Sequence, residues 1–305
     1  MDYKPKILVI GSANMDMVIQ SDHFPSPGET IIGGKFSLIP GGKGANQAVA
    51  AARVGGEVSF ISKLGKDLFG ETNLENFKNE GIDTSLIKQI PDQPSGVALI
   101  TVDSSGENTI IVAPGANSHI STVDIQAADS HFEHAAIILT QLEIPLPTVL
   151  SCIEKAKKKG KPLILNPAPA TDLSEAFFEG LFMITPNETE AELLTGIQIR
   201  DDDSAESAAK ALFGKGVQNV IITLGAGGAF VYTEGFKGRI PTKKVQAVDS
   251  TAAGDTFNGA LAVALAKGES IEKAVQFALK AATLSVQRMG AQSSIPTLEE
   301  LSLKN

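Results

Sequence analysis

The chain contains no tryptophan, two tyrosines, one cysteine and four histidines among its 305 residues. A single cysteine, Cys152, excludes an internal disulfide and fits a reducing compartment, so the sequence predicts a cytoplasmic protein. The His131-x-x-His134 pair has helical spacing, but with no cysteine or acidic cluster attached it reads as a solvated face and not as a metal site. Basic residues are also short. Lys plus Arg number 26 against 35 Asp plus Glu, a net charge of −9, which argues against a general nucleic-acid or anionic-membrane binder because both need basic surface, and leaves room for a local basic pocket for a phosphate. No apolar run is long enough to span a bilayer, and the run at residues 7–10 behind Lys4 and Lys6 is far shorter than a signal-peptide core.

Two common phosphate-binding motifs are missing as well. The segment Gly11-Ser12-Ala13-Asn14-Met15-Asp16 keeps only the first glycine of Gly-x-Gly-x-x-Gly, which disfavours a dehydrogenase. Around Gly41-Gly42-Lys43-Gly44, Lys43 is followed by glycine where a Walker A loop has Ser or Thr. What the chain does have is an apolar fraction of 43% and a charged fraction of 20%, ordinary for a folded enzyme-sized protein.

Short apolar runs alternate with longer amphipathic stretches, the pattern of repeated βα units on a mostly parallel sheet. Strands are expected at 6–11, 58–63, 136–140, 162–166, 183–185, 220–224 and 229–233, and helices at 44–54, 70–80, 147–159, 188–195, 204–215, 254–267 and 270–288. Residues 18–39 and 96–112 break the alternation: both are strand-like, and neither has room for a crossover helix. They predict a small β flap projecting from the main domain.

The strongest chemical signal is Asp249-Ser250-Thr251-Ala252-Ala253-Gly254-Asp255, followed by an Ala-rich helical pattern. Small residues at a helix start leave N–H groups free for phosphate, and the helix dipole adds to the attraction. A carboxylate there repels phosphate, a cost that makes sense if Asp255 is aimed at an acceptor hydroxyl in phosphoryl transfer; the competing reading is a simple helix-start charge. Gly41 to Asn46 opens another helix and suits a polar ligand or a tight packing turn. Asn14 and Asp16 follow a strand, where α/β sheets place ligand sites, although an Asx turn would look the same. Glu188 and Glu190 begin a helix; the first reads as a dipole partner, while the second could also position Mg²⁺ through water. Thr223 to Gly228 is either bare backbone for a ligand or a hairpin turn.

Gly41 to Asn46 and Ala252 to Asp255 together resemble the two signatures of the ribokinase (PfkB) family of carbohydrate kinases. The resemblance covers nearly the whole chain, including Asn14-Met15-Asp16, Pro25-Ser26-Pro27-Gly28-Glu29-Thr30, Glu143, Asn166-Pro167-Ala168-Pro169-Ala170 and Thr185-Pro186-Asn187-Glu188-Thr189-Glu190. It implies one domain over residues 1–305: a three-layer Rossmann-like α/β sheet flanked by helices, with a β lid formed by about 15–40 and 95–112, often paired between subunits in a homodimer. The implied reaction is ATP-dependent phosphorylation of D-ribose at O5. Alternatives are another sugar or nucleoside acceptor, such as deoxyribose or adenosine, or a non-catalytic sugar-binding protein.

Residue by residue, the resemblance implies that Asn14, Asp16, Gly42, Lys43, Asn46 and Glu143 hold the sugar, that Asp255 is the base, and that the backbone of Ala252, Ala253, Gly254 and Asp255 is an anion hole. Asn187, Thr223, Gly225, Gly227, Gly228, Gly254 and Leu279 match nucleotide-side positions, and Leu279 stands where relatives often carry a polar residue. Glu190 matches the acidic position near Mg²⁺. Asp249, Thr251, Ser285, Arg288, Gly290 and Ser294 match the surroundings of a monovalent cation, usually K⁺.

Overall fold

In β1 (Lys6–Ile10) alternate residues go to opposite faces: Ile7 and Val9 join one apolar cluster, Leu8 and Ile10 another, and all four are buried. A strand buried on both faces belongs inside a layered fold. The computed structural model, which describes residues 4–303, places β1 within a nine-stranded sheet covered on both sides.

After β1 the chain leaves this sheet through the antiparallel pair β2 (Asn14–Gln20) and β3 (Lys35–Gly41). It returns through α1 (Lys43–Arg53), β4 (Glu57–Gly65), α2 (Leu68–Asn79) and β5 (Ile87–Ile90). A second excursion, β6 (Gly96–Val102) and β7 (Asn108–Ala113), precedes the short helices α3 (Thr122–Ala127) and α4 (Asp129–His134). Alternation resumes with β8 (Ile137–Thr140), α5 (Leu146–Lys158), β9 (Leu163–Leu165), β10 (Met183–Ile184), α6 (Glu188–Thr195), α7 (Asp202–Gly214) and β11 (Asn219–Thr223). An edge hairpin, β12 (Ala229–Tyr232) and β13 (Lys237–Ile240), then leads to α8 (Ala253–Ala266), α9 (Ile271–Ser285) and α10 (Leu298–Leu303). Side-chain caps set several of the starts: Asp67 accepts from Gly70 N at 2.8 Å to open α2, and Asp201 accepts from Ser204 N at 2.9 Å to open α7.

The strand order β13-β12-β11-β10-β9-β8-β1-β4-β5 is parallel from β11 through β5, and β12 and β13 alternate direction at the edge. Because β1 lies between β4 and β8, the direction of winding reverses beside it, and a crevice opens beyond the carboxyl ends of the strands. Residues of α1, α8 and α9 fill one face of the sheet, and residues of α5 and α7 the other. The three expected layers are present. The separate four-stranded sheet, order β3-β2-β6-β7, is the predicted β flap.

Five elements were not anticipated: β5, α3, α4, β13 and α10. Each has six residues or fewer, too few to display a period, and β13 (Lys-Gly-Arg-Ile) mixes a glycine and two charges. The last long helix is also shorter than expected, ending at Ser285 and not at 288. Residues 155–161 are more than a solvated charge run, because Lys155 Nζ donates to the Ile125 carbonyl at 2.7 Å and lies 5.0 Å from the centre of the Phe132 ring.

Helices α1 and α8 approach so closely that a Cβ on Gly259 would lie 2.6 Å from Ala50 Cβ and 2.7 Å from the Gln47 carbonyl oxygen. Glycine inside a helix costs about 1 kcal/mol relative to alanine, so its place here is explained by this contact. We predict that Gly259→Ala destabilises the protein by about 1–3 kcal/mol net, because overpacking outweighs the propensity gain. A urea midpoint equal to or above the parent value would show that the helices separate without strain.

Candidate active site

The carboxyl ends of β1, β8, β9 and β10, the start of α1 and the start of α8 converge on one buried polar cluster. Asp255 is its centre. It occupies the first turn of α8, yet its carboxylate does not cap that helix; Oδ2 accepts from Asn46 Nδ2 at 3.0 Å and Oδ1 from Gln47 Nε2 at 2.9 Å. Asp255 is thus an acidic residue at a helix start whose two oxygens are both held from α1 and neither of which caps α8. Burial pushes its pKa up, while Lys43 and the two amide donors pull it down and Glu143 adds to the rise.

Sugar-side residues predicted from the sequence share this neighbourhood. Asn14 and Asp16 are strand residues in β2, not members of an Asx turn, and both are buried. Glu143 Oε2 accepts from Ser12 Oγ at 2.6 Å and from the Lys43 N–H at 3.0 Å, joining the end of β8 to the start of α1. Gly42 holds φ at 89°, and a Cβ there would lie 2.7 Å from Asn14 N, so glycine is required by both torsion and space. Asn46 Oδ1 is buried with no partner, an acceptor waiting for a donor.

The electrostatics are those of one cation among carboxylates. Burial pushes the Asp16 pKa up to about 7, the charges of Glu143 and Asp255 add to the rise, and Lys43 opposes it. For Lys43 itself burial acts downward, but Asp255, Glu143, Glu190 and Asp16 outweigh it and leave its pKa raised.

Next to this cluster α8 begins. Ala252 is the one described non-glycine residue at positive φ, 59°, and Ala253 N turns back onto the Ser250 carbonyl at 3.2 Å. The N–H groups of Ala252, Gly254 and Asp255 have no acceptor among the described residues, an arrangement suited to an anion. The left-handed residue is a local strain of the kind found at functional turns.

Beyond α8 lies a cavity of about 490 Å³ lined by Asn187, Thr223, Gly225, Gly228, Gly254 and Leu279 among others. Gly227 does not line it; a Cβ there would meet the Arg239 guanidinium at 2.9 Å, so this glycine serves the hairpin between β11 and β12. The segment at 242–247 also contributes lining through Thr242, Lys243, Lys244, Val245 and Ala247, and sequence reasoning missed it because it has neither period nor regular structure. Asn187 and Glu190 form a reciprocal cap on α6: Glu190 N donates to Asn187 Oδ1 at 2.8 Å, and Asn187 N to Glu190 Oε2 at 2.9 Å. Burial raises the Glu190 pKa, against the Asn187 N–H and Lys43.

Of the residues matched to a monovalent cation, Asp249, Thr251 and Gly290 are joined by hydrogen bonds. Asp249 Oδ1 accepts from Thr251 N at 2.9 Å and Thr251 Oγ1 at 2.6 Å, and Oδ2 from Gly290 N at 2.8 Å. Burial opposes ionisation of Asp249, but these bonds hold its pKa below the ordinary value. Arg288 N donates to the Ser285 carbonyl at 3.0 Å, while its guanidinium pairs with Glu300 at 2.5 Å. Ser294 sits in a short 3-10 turn, its hydroxyl donating to the Ala291 carbonyl at 2.7 Å.

Sequence reasoning missed Gln47, Asn117 and Gln141. Asn117 Nδ2 donates to Asn14 Oδ1 at 2.7 Å, and Gln141 Nε2 to Gln47 Oε1 at 2.5 Å. The available signal was a glutamine inside an otherwise apolar helix stretch, Gln47 before Ala48 and Val49.

A layered α/β fold whose strand ends carry a polar cradle, an open helix start and an adjoining cavity defines a class: enzymes that transfer a phosphoryl group between two bound substrates. The chain belongs to the pfkB family of carbohydrate kinases, whose family model, pfkB family carbohydrate kinase, matches residues 4–298. It is 47% identical over 294 residues to a ribokinase of Haemophilus influenzae, covering 96% of each chain. It is 39% identical over 297 residues to a deoxyribokinase of Salmonella typhi, again covering 96% of each. Among solved structures, Arabidopsis thaliana ribokinase complexed with ribose and ATP superposes with a TM-score of 0.93 at 32% identity, covering 99% of this chain and 98% of that one. The protein is accordingly an ATP-dependent sugar kinase.

The raised Asp16 pKa has a consequence for stability. In the fold Asp16 stays protonated up to about pH 7, whereas in the unfolded chain it ionises near its ordinary value of 3.8. Its contribution is thus fully present below 3.8 and is lost as pH rises through about 7. We predict that ligand-free Asp16→Asn unfolds at higher urea than the parent at pH 8 and that the gap closes towards pH 4. A gap independent of pH would contradict this.

Proposed function

We propose that the chain transfers the γ-phosphoryl group of ATP to O5 of D-ribose, with Asp255 as general base and the backbone at 252–255 as anion hole. The observation that carries the proposal is the start of α8, where a buried carboxylate and unpartnered N–H groups lie between a polar cradle and the 490 Å³ cavity. Ribose hydroxyls would occupy the cradle of Asn14, Asp16, Gly42, Lys43, Asn46 and Glu143, with Asn46 Oδ1 as one acceptor. The 5-hydroxyl gives its proton to Asp255 as its oxygen bonds to γ-phosphorus and the bond to the β–γ bridging oxygen breaks, releasing ADP. Lys43 and the donors on Asp255 favour the ionised base against burial. Asn187, Thr223, Gly225, Gly228 and Leu279 line the nucleotide side.

Two cations fit the residues present. Glu190 keeps one carboxylate oxygen free of hydrogen bonds among the described residues and would hold Mg²⁺ through water, where the ion would supply positive charge against the phosphates. Asp249, Thr251, Ser285, Arg288, Gly290 and Ser294 would surround K⁺ largely through oxygens. The pairing of Arg288 with Glu300 keeps the guanidinium charge engaged elsewhere. A K⁺ ion here would add positive charge near the anion hole.

The four-stranded sheet is read as a lid and as a dimer surface. Asp16 faces the cradle; the next register row, Leu38, Met17, Leu99 and Ile111, points to the other face. On that face Leu38, Leu99 and Ile111 are 47%, 51% and 70% exposed, and Phe36 is 54% exposed. So large an apolar patch calls for a partner, and a second copy of the chain would cover both lids. No described helix is long and apolar enough to cross a membrane; a cytoplasmic location accords with a single buried cysteine.

Two measurements test these readings. With ATP and Mg²⁺, ADP release should be selective for ribose over deoxyribose, fructose and adenosine and should rise with K⁺, and Asp255→Asn should bind ribose yet lose about 10²–10⁴-fold in kcat. Preferential turnover of 2-deoxyribose would reassign the acceptor, and near-normal kcat in Asp255→Asn would remove the base. Separately, Leu99→Asp with Ile111→Asp should convert a dimer to a monomer in sedimentation; a parent that already sediments as a monomer would refute the pairing.

A further inference from the structure

We propose that Gln47 is a positioning residue for phosphoryl transfer: its side-chain amide aims the Asp255 carboxylate and locks it, through a closed ring of buried side chains, to the backbone that opens α8. The proposal rests on the reading of Asp255 as base.

Gln47 is completely buried on α1. Its Nε2 donates to Asp255 Oδ1 at 2.9 Å and to Asn166 Oδ1 at 3.0 Å, and its Oε1 accepts from Gln141 Nε2 at 2.5 Å. These partners fix the amide's orientation, because reversing it would set oxygen against both the Asp255 carboxylate and the Asn166 carbonyl. From Asn166, at the end of β9, the path continues through Nδ2 to the Thr185 carbonyl at 3.4 Å. Thr185 Oγ1 donates to Asn258 Oδ1 at 2.6 Å, and Asn258 Nδ2 donates to the Gly254 carbonyl at 2.8 Å. The path thus returns to α8 one residue before the point where it left. Asn166, Thr185 and Asn258 are all at least 93% buried.

Buried amides are costly unless paired, and an apolar side chain would fill the position of Gln47 at lower risk. The pairing here has a direction. Asn46 holds Oδ2 of Asp255 and Gln47 holds Oδ1, so the carboxylate cannot rotate and its remaining lone pairs keep one orientation towards the cradle. The return through Asn258 to the Gly254 carbonyl sets the peptide whose neighbouring N–H groups face the anion site. Base and anion hole are therefore registered to each other by side chains from α1, β9 and β10 as well as by the helix they share.

The test is a double-mutant cycle. Gln47→Met keeps the volume and removes both donors. In the parent it should lower kcat about 10–100-fold, the scale expected when a reacting group is misplaced by a fraction of an ångström to an ångström, with ribose affinity by calorimetry near the parent value. In the Asp255→Asn background the same change should have little further effect, because the carboxylate it aims is absent. Equal losses in both backgrounds would mean that Gln47 only packs the core, and unchanged kcat in Gln47→Met would also overturn the proposal. Should Gln47→Met fold poorly, Thr185→Val cuts the ring on its other side and is expected to lower kcat several-fold without additivity to Asp255→Asn; additive loss would count against the ring. Failure of the base assignment itself is distinguishable, since it would appear as full activity in Asp255→Asn alone.

Discussion

The close seating of α1 against α8 is the constraint on which the site depends. Gly259 lets the two helices meet backbone to side chain, and that contact carries Asn46 and Gln47 to the Asp255 carboxylate. A carboxylate this deeply buried is tolerable only when its oxygens are hydrogen-bonded and a cation is near; Lys43, from the same end of α1, supplies the charge. The other end of α1 is fixed as well. Arg53 donates to the carbonyls of Gln292 and Ile295 at 2.6 and 2.8 Å and pairs with Glu80, so the segment carrying Gly290 and Ser294 is tied to the helix that carries the cradle.

Around this contact the fold divides its labour by strand end. The central parallel strands β1, β8, β9, β10 and β11 are buried on both faces, whereas the polar groups of the candidate site lie just past their carboxyl ends: Gly11 to Asp16 after β1, Glu143 after β8, Asn166 after β9, Thr185 and Asn187 after β10. The winding reversal beside β1 opens the crevice that these residues line. The small sheet begins at the same place, since β2 starts at Asn14, β3 ends at Gly41 and β6 starts at Gly96, all in one register row. Asn117 pins that row by bonding Ala13 and Asn14. Movement of the small sheet would thus pivot about residues that also touch the cradle.

Much of the fold was legible because long elements show their period. The helix expected at 188–195 matches α6, and the strand-like stretches at 18–39, rich in Pro and Gly, and at 96–112, a hairpin of alternating apolar residues, were recognisable as outside the main sheet because neither has room for a crossover helix. Short elements were legible only where they formed a continuous apolar run, as in β1, β8 and β11; β5, α3, α4, β13 and α10 offer neither such a run nor enough residues for a period. In the site, the Gly-rich helix starts and Asp255 stood out by composition, since bare backbone and a carboxylate rarely share a helix start without a chemical reason. Gln47, Gln141 and Asn117 did not stand out, because a polar residue inside a helix or loop has no local mark of what it will meet.

By itself the sequence determined the βα alternation, the acidic character that argues against a general nucleic-acid or anionic-membrane binder, and the chemical groups on offer: backbone N–H at helix starts, carboxylates, amides and one lysine at the mouth of α1. Only the tertiary structure decided which groups meet. Asn46 and Asp255 are 209 residues apart in the chain, and Glu143 lies 131 residues from Ser12. Local periodicity fixes which face of an element is buried, but the partner across that face depends on strand order, on the reversal beside β1 and on how closely two helices can pack. The Asp255 site exists because Gly259 has no side chain to hold α1 and α8 apart, and that is a property of the pair of helices and of neither segment alone.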